Sequence, residues 1–311
     1  ATRLTGSGLS ITEWRPVTGA VPPLGDADWA RAFARYREIP QYQLLNRGMT
    51  LAEFKSIYWW EWAHRFLGRT VGAAFLLPFL YFLVRRQIPS RLIPRCILLF
   101  GLGGLQGAVG WWMVASGLAD RVSVAPERLM IHLGLAFALY AALIWTALDA
   151  WTGAARQTLP SPWGRGAVAV LALVFLQILL GALVAGNDAG FVYNDWPLMN
   201  GRLAPDDYWA GDFWRTLAHN QGSVQLHHRI GGYVVFAVGL FTAWKAARTS
   251  YLSAAARQLA LALGLAVVLQ AVLGVTTLMA GAPLALAMAH QLAAALVLAL
   301  AVAFAWRVRR I

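Results

Sequence analysis

The chain has 311 residues, 59% of them hydrophobic and only 13% charged, with a formal net charge of +12. Soluble domains carry about 25% charged residues, so a soluble globular protein is excluded. The basic residues sit in short loops between apolar runs, which argues against a nucleic-acid surface, and the single Cys96 rules out an intramolecular disulfide.

In chain order, residues 1–65 are polar and read as a long loop, closed by an aromatic cluster of Trp59, Trp60 and Trp62 that resembles an interfacial belt. Apolar runs then fall at about 66–84, 96–115, 129–148, 166–185, 229–247, 257–280 and 284–306. Each is long enough as a helix to cross a hydrocarbon core of ~30 Å. The loops after the first, third and fifth runs hold Arg85, Arg86, Arg91, Arg95, Arg156, Arg165, Lys245, Arg248 and Arg257, and the tail adds Arg307, Arg309 and Arg310. The short loops on the other side hold only Arg121 and Arg128. By the positive-inside rule the C-terminus is cytoplasmic, and residues 1–65 and 186–228 are extracytoplasmic.

A repeat runs through the chain. "HRFLG" at His64 and "HRIGG" at His228 match at an offset of 164, and the same offset pairs Gln106, Gly110 and Gly117 with Gln270, Gly274 and Gly281. His132 pairs with His290 after a loop difference, and "EWRPVTG" at Glu13 is similar to "DWPLMNG" at Asp195. The expected fold is all-α and membrane-spanning, with two pseudo-repeated four-helix bundles. The N-terminal half is 1–155, the loop 1–65 plus three spans, and the C-terminal half is 156–311 with four spans. Span 166–185 has no counterpart in the first half, so a first transmembrane helix is expected before Ala1, giving eight spans in the whole protein.

His64, His132, His228 and His290 form the repeat-matched set among six histidines. Each half offers two imidazoles at similar depth near the outer face, on different helices. That pattern suits axial ligation of a haem iron. Zinc fits less well, because no HExxH and no cysteine cluster is present. Of the adjacent pair His227 and His228 only one can face the bundle centre, and the repeat selects His228. His219 has no counterpart and reads as a loop residue. Arg65, Arg69 and Arg229 read either as snorkelling cations or as partners for haem propionates. Glycines 68, 72, 107, 110, 181, 231, 232 and 274 read as helix packing or as room for a porphyrin face. Glu61, three residues before His64, is matched by Gln225, three residues before His228. The two halves thus share a ligand plan and differ in one charge. That difference points to one half that holds a haem and one that acts on its occupant, with Glu61 as acid, base or electrostatic stabiliser, or as a purely structural carboxylate.

Together "TRLTGSGLSITEWRPVTGAVPPL", "NRGMTLAEFKSIYWWEWAHRFLGR", "DWPLMNG", "HHRIGGY" and "AHQL" resemble haem A synthase, in the alphaproteobacterial and mitochondrial branch without paired loop cysteines. The resemblance implies an eight-helix membrane oxidoreductase that oxidises a methyl group of haem O to the formyl group of haem A, for cytochrome oxidase. It implies that His228 and His290 ligate a resident haem b, that His64 and His132 hold the substrate haem iron, and that Glu61 is catalytic. It further implies a bacterial inner-membrane location, rather than the mitochondrial inner membrane, and transient contact with haem O synthase and oxidase assembly factors. The electron partner and any homo-oligomeric state stay open. The alternatives are a di-haem b-type electron carrier and a haem chaperone or transporter.

Overall fold

The computed structural model describes Thr2, residues 5–152 and residues 161–309. The expected boundary at 155/156, and Ala1, Arg156 and Arg310, lie outside them. By packing the chain forms two compact units, Ala1–His132 and Leu133–Ile311.

In the first unit, a 3-10 turn at Thr18–Ala20 precedes α1 (Asp26–Arg37), which carries Asp26 and Asp28 in its first turn and Arg35 and Arg37 in its last, as the helix dipole favours. A short α2 (Pro40–Leu44) has proline at its first position, where no N–H is needed. Then comes α3 (Leu51–Val84). It begins 15 residues before the expected 66, because Thr50 and Glu53 form a reciprocal cap: Glu53 accepts from the Thr50 N–H at 2.7 Å and Thr50 Oγ1 accepts from the Glu53 N–H at 3.3 Å. Thirty-four residues of helix reach ~51 Å, well beyond a ~30 Å hydrocarbon core, so the N-terminal turns of α3 extend outside it. Within the expected loop 1–65, residues 26–37, 40–44 and 51–65 are α-helical. Tyr36 and Phe54 are fully buried between α1 and α3 with Leu9, Trp29 and Tyr58. Of the belt tryptophans, Trp59 reaches this contact, its ring 5.7 Å from that of Trp29, while Trp62 stacks on Phe66 of its own helix at 4.8 Å. Trp60 stays exposed. Next follow α4 (Ile93–Ala115) and α5 (Pro126–Thr152), the latter crossing from the first unit into the second.

In the second unit, α6 (Trp163–Gly186) leads through a 3-10 turn (Ala189–Phe191) to α7 (Phe213–Ala218), α8 (Gln221–Ala247), α9 (Ala254–Met279) and α10 (Leu284–Val308). Asn220 and Ser253 cap α8 and α9 by accepting from Ser223 and Ala256. The Asn220 cap starts α8 eight residues before the expected 229. The four long helices close a ring in which α6 packs on α8, α8 on α9, α9 on α10 and α10 on α6. Phe304, Leu263, Leu298 and Val302 are buried at its centre. The C-terminal part of α5 packs against this core through Leu133, Phe137, Ile144 and Trp145, which is why the division falls inside that helix. Asp149 accepts from Arg309 at 2.6 Å and from the Trp306 indole at 2.9 Å, tying α5 to the end of α10.

Among the described residues there are seven helices long and apolar enough to cross a membrane: α3, α4 with its preceding turn, α5, α6, α8, α9 and α10. The protein is an all-α membrane protein.

Candidate functional site

In the second unit His228 on α8 and His290 on α10 face each other with ring centres 6.4 Å apart and planes crossing at 81°. Two imidazoles on one iron, with Fe–N bonds of about 2 Å and about 1.1 Å from nitrogen to ring centre, place their centres about 6 Å apart. The donor pair therefore fits a bis-imidazole haem. His227 turns the other way, its Nε2 lying 3.2 Å from the Tyr208 hydroxyl, and His219 ends α7. Among the described residues no three His, Cys, Asp or Glu side chains converge as a metal-binding group. Two ligands are what the pair offers, the number axial ligation uses and fewer than a structural zinc site needs.

In the first unit His64 stands on α3 with Gly68 and Gly72 at successive i+4 positions, on one face of the helix. A Cβ at either glycine would meet nothing within 4 Å, so this face is open rather than packed. His132 lies on α5, and no ring pair of the His228–His290 kind joins it to His64 among the described residues. Gly110, Gly181 and Gly274 behave differently from Gly68 and Gly72. A Cβ there would stand 2.8, 3.0 and 2.8 Å from Cε1 of His132, His228 and His290 respectively, so each glycine seats an imidazole edge. A glutamine one turn earlier on the same helix grips the same residue: Gln106, Gln177 and Gln270 donate to the main-chain carbonyls of His132, His228 and His290 at 3.0, 2.8 and 3.0 Å. The signal was present as "LQGAVG", "LQILLG" and "LQAVLG". Sequence reading matched the first and third as repeats, but missed the second and the role of all three.

The arginines after the histidines do a shared job. Arg65 donates through Nε to Glu61 at 2.7 Å, through Nη1 to the Glu13 carbonyl at 3.1 Å and through Nη2 to the Ile11 carbonyl at 2.9 Å. Arg229 donates to Gln225 at 2.8 Å and to the carbonyls of Tyr193, Asp195 and Leu198 at 2.6, 3.1 and 2.7 Å. Glu13 and Asp195 are the equivalent residues of the two outer motifs, so each arginine clamps the outer segment of its own half onto its histidine-bearing helix. Asp195 in turn accepts from the N–H groups of Asn200 and Gly201, which hold its carboxyl below the usual carboxylate range. Arg69 holds the carbonyls of Arg15 and Pro16 at 3.0 and 2.8 Å. Beside it a cavity of about 250 Å³ is lined by Arg15, Arg31, Arg35, Arg65 and Arg69 with Glu13. Arg69 Nη1 and Arg229 Nε are buried with no hydrogen-bond partner.

Glu61 is buried, with 3% of its surface exposed, as is Gln225 with 3%. Glu61 offers one oxygen to Arg65, and its other oxygen has no hydrogen bond among the described residues. Gln225 does the same clamp work without a charge, and its amide also donates to the carbonyls of Ala189 and Val192.

The family model of COX15-CtaA, described as cytochrome oxidase assembly protein, matches residues 1–302. The chain belongs to the COX15-CtaA family. Members similar to it carry the name "Heme A synthase". The protein from Caulobacter sp. (strain K31) is 60% identical over 310 residues, covering 100% of this chain and 90% of the relative. That from Caulobacter vibrioides is 59% identical with the same coverage, and that from Parvibaculum lavamentivorans 49% identical, covering 88% of the relative. No solved structure matches the chain significantly.

Proposed function

We propose that this COX15-CtaA protein is an oxidoreductase that converts a methyl substituent of haem O to the formyl group of haem A. His228 and His290 hold a resident haem b, and His64 and His132 hold the substrate iron. Bound haem b supplies reversible one-electron transfer. With water as the oxygen source, converting CH3 to CHO releases four electrons, which pass to an external electron acceptor, and four protons, so the reacting carbon needs a proton acceptor within reach. The open face of α3 carries His64, and Glu61 lies on the preceding turn of that helix.

One observation carries the reading. The clamp built by Arg229 works with the neutral Gln225, so the equivalent clamp built by Arg65 does not require a carboxylate. A buried charge kept without structural need, in one half only, is the signature of chemistry rather than of packing. In this role Glu61 takes up protons from the methyl carbon or stabilises positive charge on the oxidised substrate, while Arg65 keeps it oriented.

For the propionates, Arg69 and Arg229 are the better partners, since each retains a buried nitrogen with no acceptor, whereas every nitrogen of Arg65 already donates. The basic loops and C-terminus face the cytoplasm of a bacterial inner membrane, as the charge asymmetry supports. Haem O synthase and oxidase assembly factors are the expected transient partners. The test is to express the full-length protein in a host that makes haem O and to extract and separate its haems. Haem A alongside haem B is expected. Haems B and O alone would contradict the proposal and favour an electron carrier or haem chaperone.

A further inference from the structure

The three glutamines that grip histidines share a second property. Oε1 of Gln106, of Gln177 and of Gln270 is buried with no hydrogen-bond partner. A single orphan acceptor is an ordinary local defect, but three at equivalent positions of one motif are a pattern. The amide of each lies against the imidazole itself, 3.1 Å from Nδ1 of His132, 3.0 Å from Nδ1 of His228 and 3.4 Å from Nε2 of His290. In the third seat the complementary donor is orphaned as well, because Nδ1 of His290 is buried without a partner.

The spacing explains the arrangement. Glutamine and glycine at i and i+4 stand on one face of a helix, one turn apart. The glycine admits the ring edge where a Cβ would collide, and the glutamine above it bears on both the ring and the main chain of the same histidine. The ring is thereby held against rotation. An imidazole that binds a metal through one nitrogen keeps its proton on the other, and that N–H is usually given to an acceptor which fixes the ring and raises its basicity. The amide can turn about its last bond, exchanging the positions of its oxygen and nitrogen.

We propose that Gln106, Gln177 and Gln270 are positioning residues, whose Oε1 accepts the Nδ1–H of His132, His228 and His290 when these bind haem iron through Nε2. The main-chain carbonyl released by that turn keeps its intrahelical hydrogen bond. Among the described residues His64 has no glutamine of this kind, so three of the four ligands carry the device. The inference rests on His228 and His290 being haem b ligands. His228→Ala tests that premise separately, since loss of the haem b spectrum is required by it.

The experiment compares Gln177→Leu with Gln177→Glu, and Gln270→Leu with Gln270→Glu, in the full-length haem-loaded protein, reading haem content and midpoint potential. An acceptor role predicts opposite shifts. Glutamate, a stronger acceptor, makes the imidazole a stronger donor to ferric iron and lowers the potential, whereas leucine raises it or loosens the haem. If the glutamine served only to donate to the main-chain carbonyl, leucine and glutamate would both abolish that bond and act alike. Equal effects of the two substitutions, or no shift with either, would overturn the proposal. Should one leucine variant fail to accumulate, the pair at the other glutamine decides.

Discussion

At the scale of single residues, the contrast between Glu61 and Gln225 has a measurable stability consequence. Removing Arg65 leaves a buried carboxylate without its partner, which costs about 3–5 kcal/mol. Both removals also free main-chain carbonyls, so the difference lies in the side-chain partner. Removing Arg229 leaves a neutral amide short of a donor, a loss of about 1–3 kcal/mol. Arg65→Ala is therefore expected to lower the thermal unfolding midpoint in detergent more than Arg229→Ala does. Adding Glu61→Gln to Arg65→Ala should recover part of the difference, and equal destabilisation by the two arginine variants would show that the Glu61 charge is not buried as described. The Glu61 and Gln225 difference was legible in the sequence, because both stand three residues before a repeat-matched histidine. The clamp was not. Its acceptors are the carbonyls of Ile11, Glu13, Tyr193, Asp195 and Leu198, and a main-chain carbonyl leaves no mark on residue identity.

At the scale of helices, apolar runs located all seven spans but placed the starts of α3 and α8 too late. Hydropathy finds the stretch that sits in lipid, whereas a helix begins where its first amides are capped. For α3 that point is marked by Thr50 and Glu53, a signal readable in "TLAE" once looked for. The helices bearing the "LQ" motif show the opposite case. Their glycines read as helix packing or as room for a porphyrin face, and three of them are seats for imidazole rings. Gly274→Ala should push the His290 ring out of place, since the new methyl would lie 2.8 Å from its Cε1. The expected result is loss of most bound haem b with the fold retained, read from the absorbance of the purified protein and its unfolding profile. Normal haem content would mean that His290 is not held by this seat.

At the scale of the whole molecule, a repeat of helices with their outer motifs has been kept in plan and changed in chemistry. Both units clamp an outer segment to a histidine-bearing helix through an arginine, and both seat histidines on Gln-x-x-x-Gly faces. The two clamps differ by one buried charge, Glu61 against Gln225. Family membership is consistent with haem chemistry, and on the proposed function the Glu61 charge marks the first half as the reacting one. The most direct test is Glu61→Gln in a host that makes haem O, followed by extraction of the haems from the purified full-length protein. The account predicts a folded protein with the clamp intact, haem b bound, haem O retained and no haem A. Haem A at the level of the unmodified protein would contradict it and leave Glu61 a structural residue.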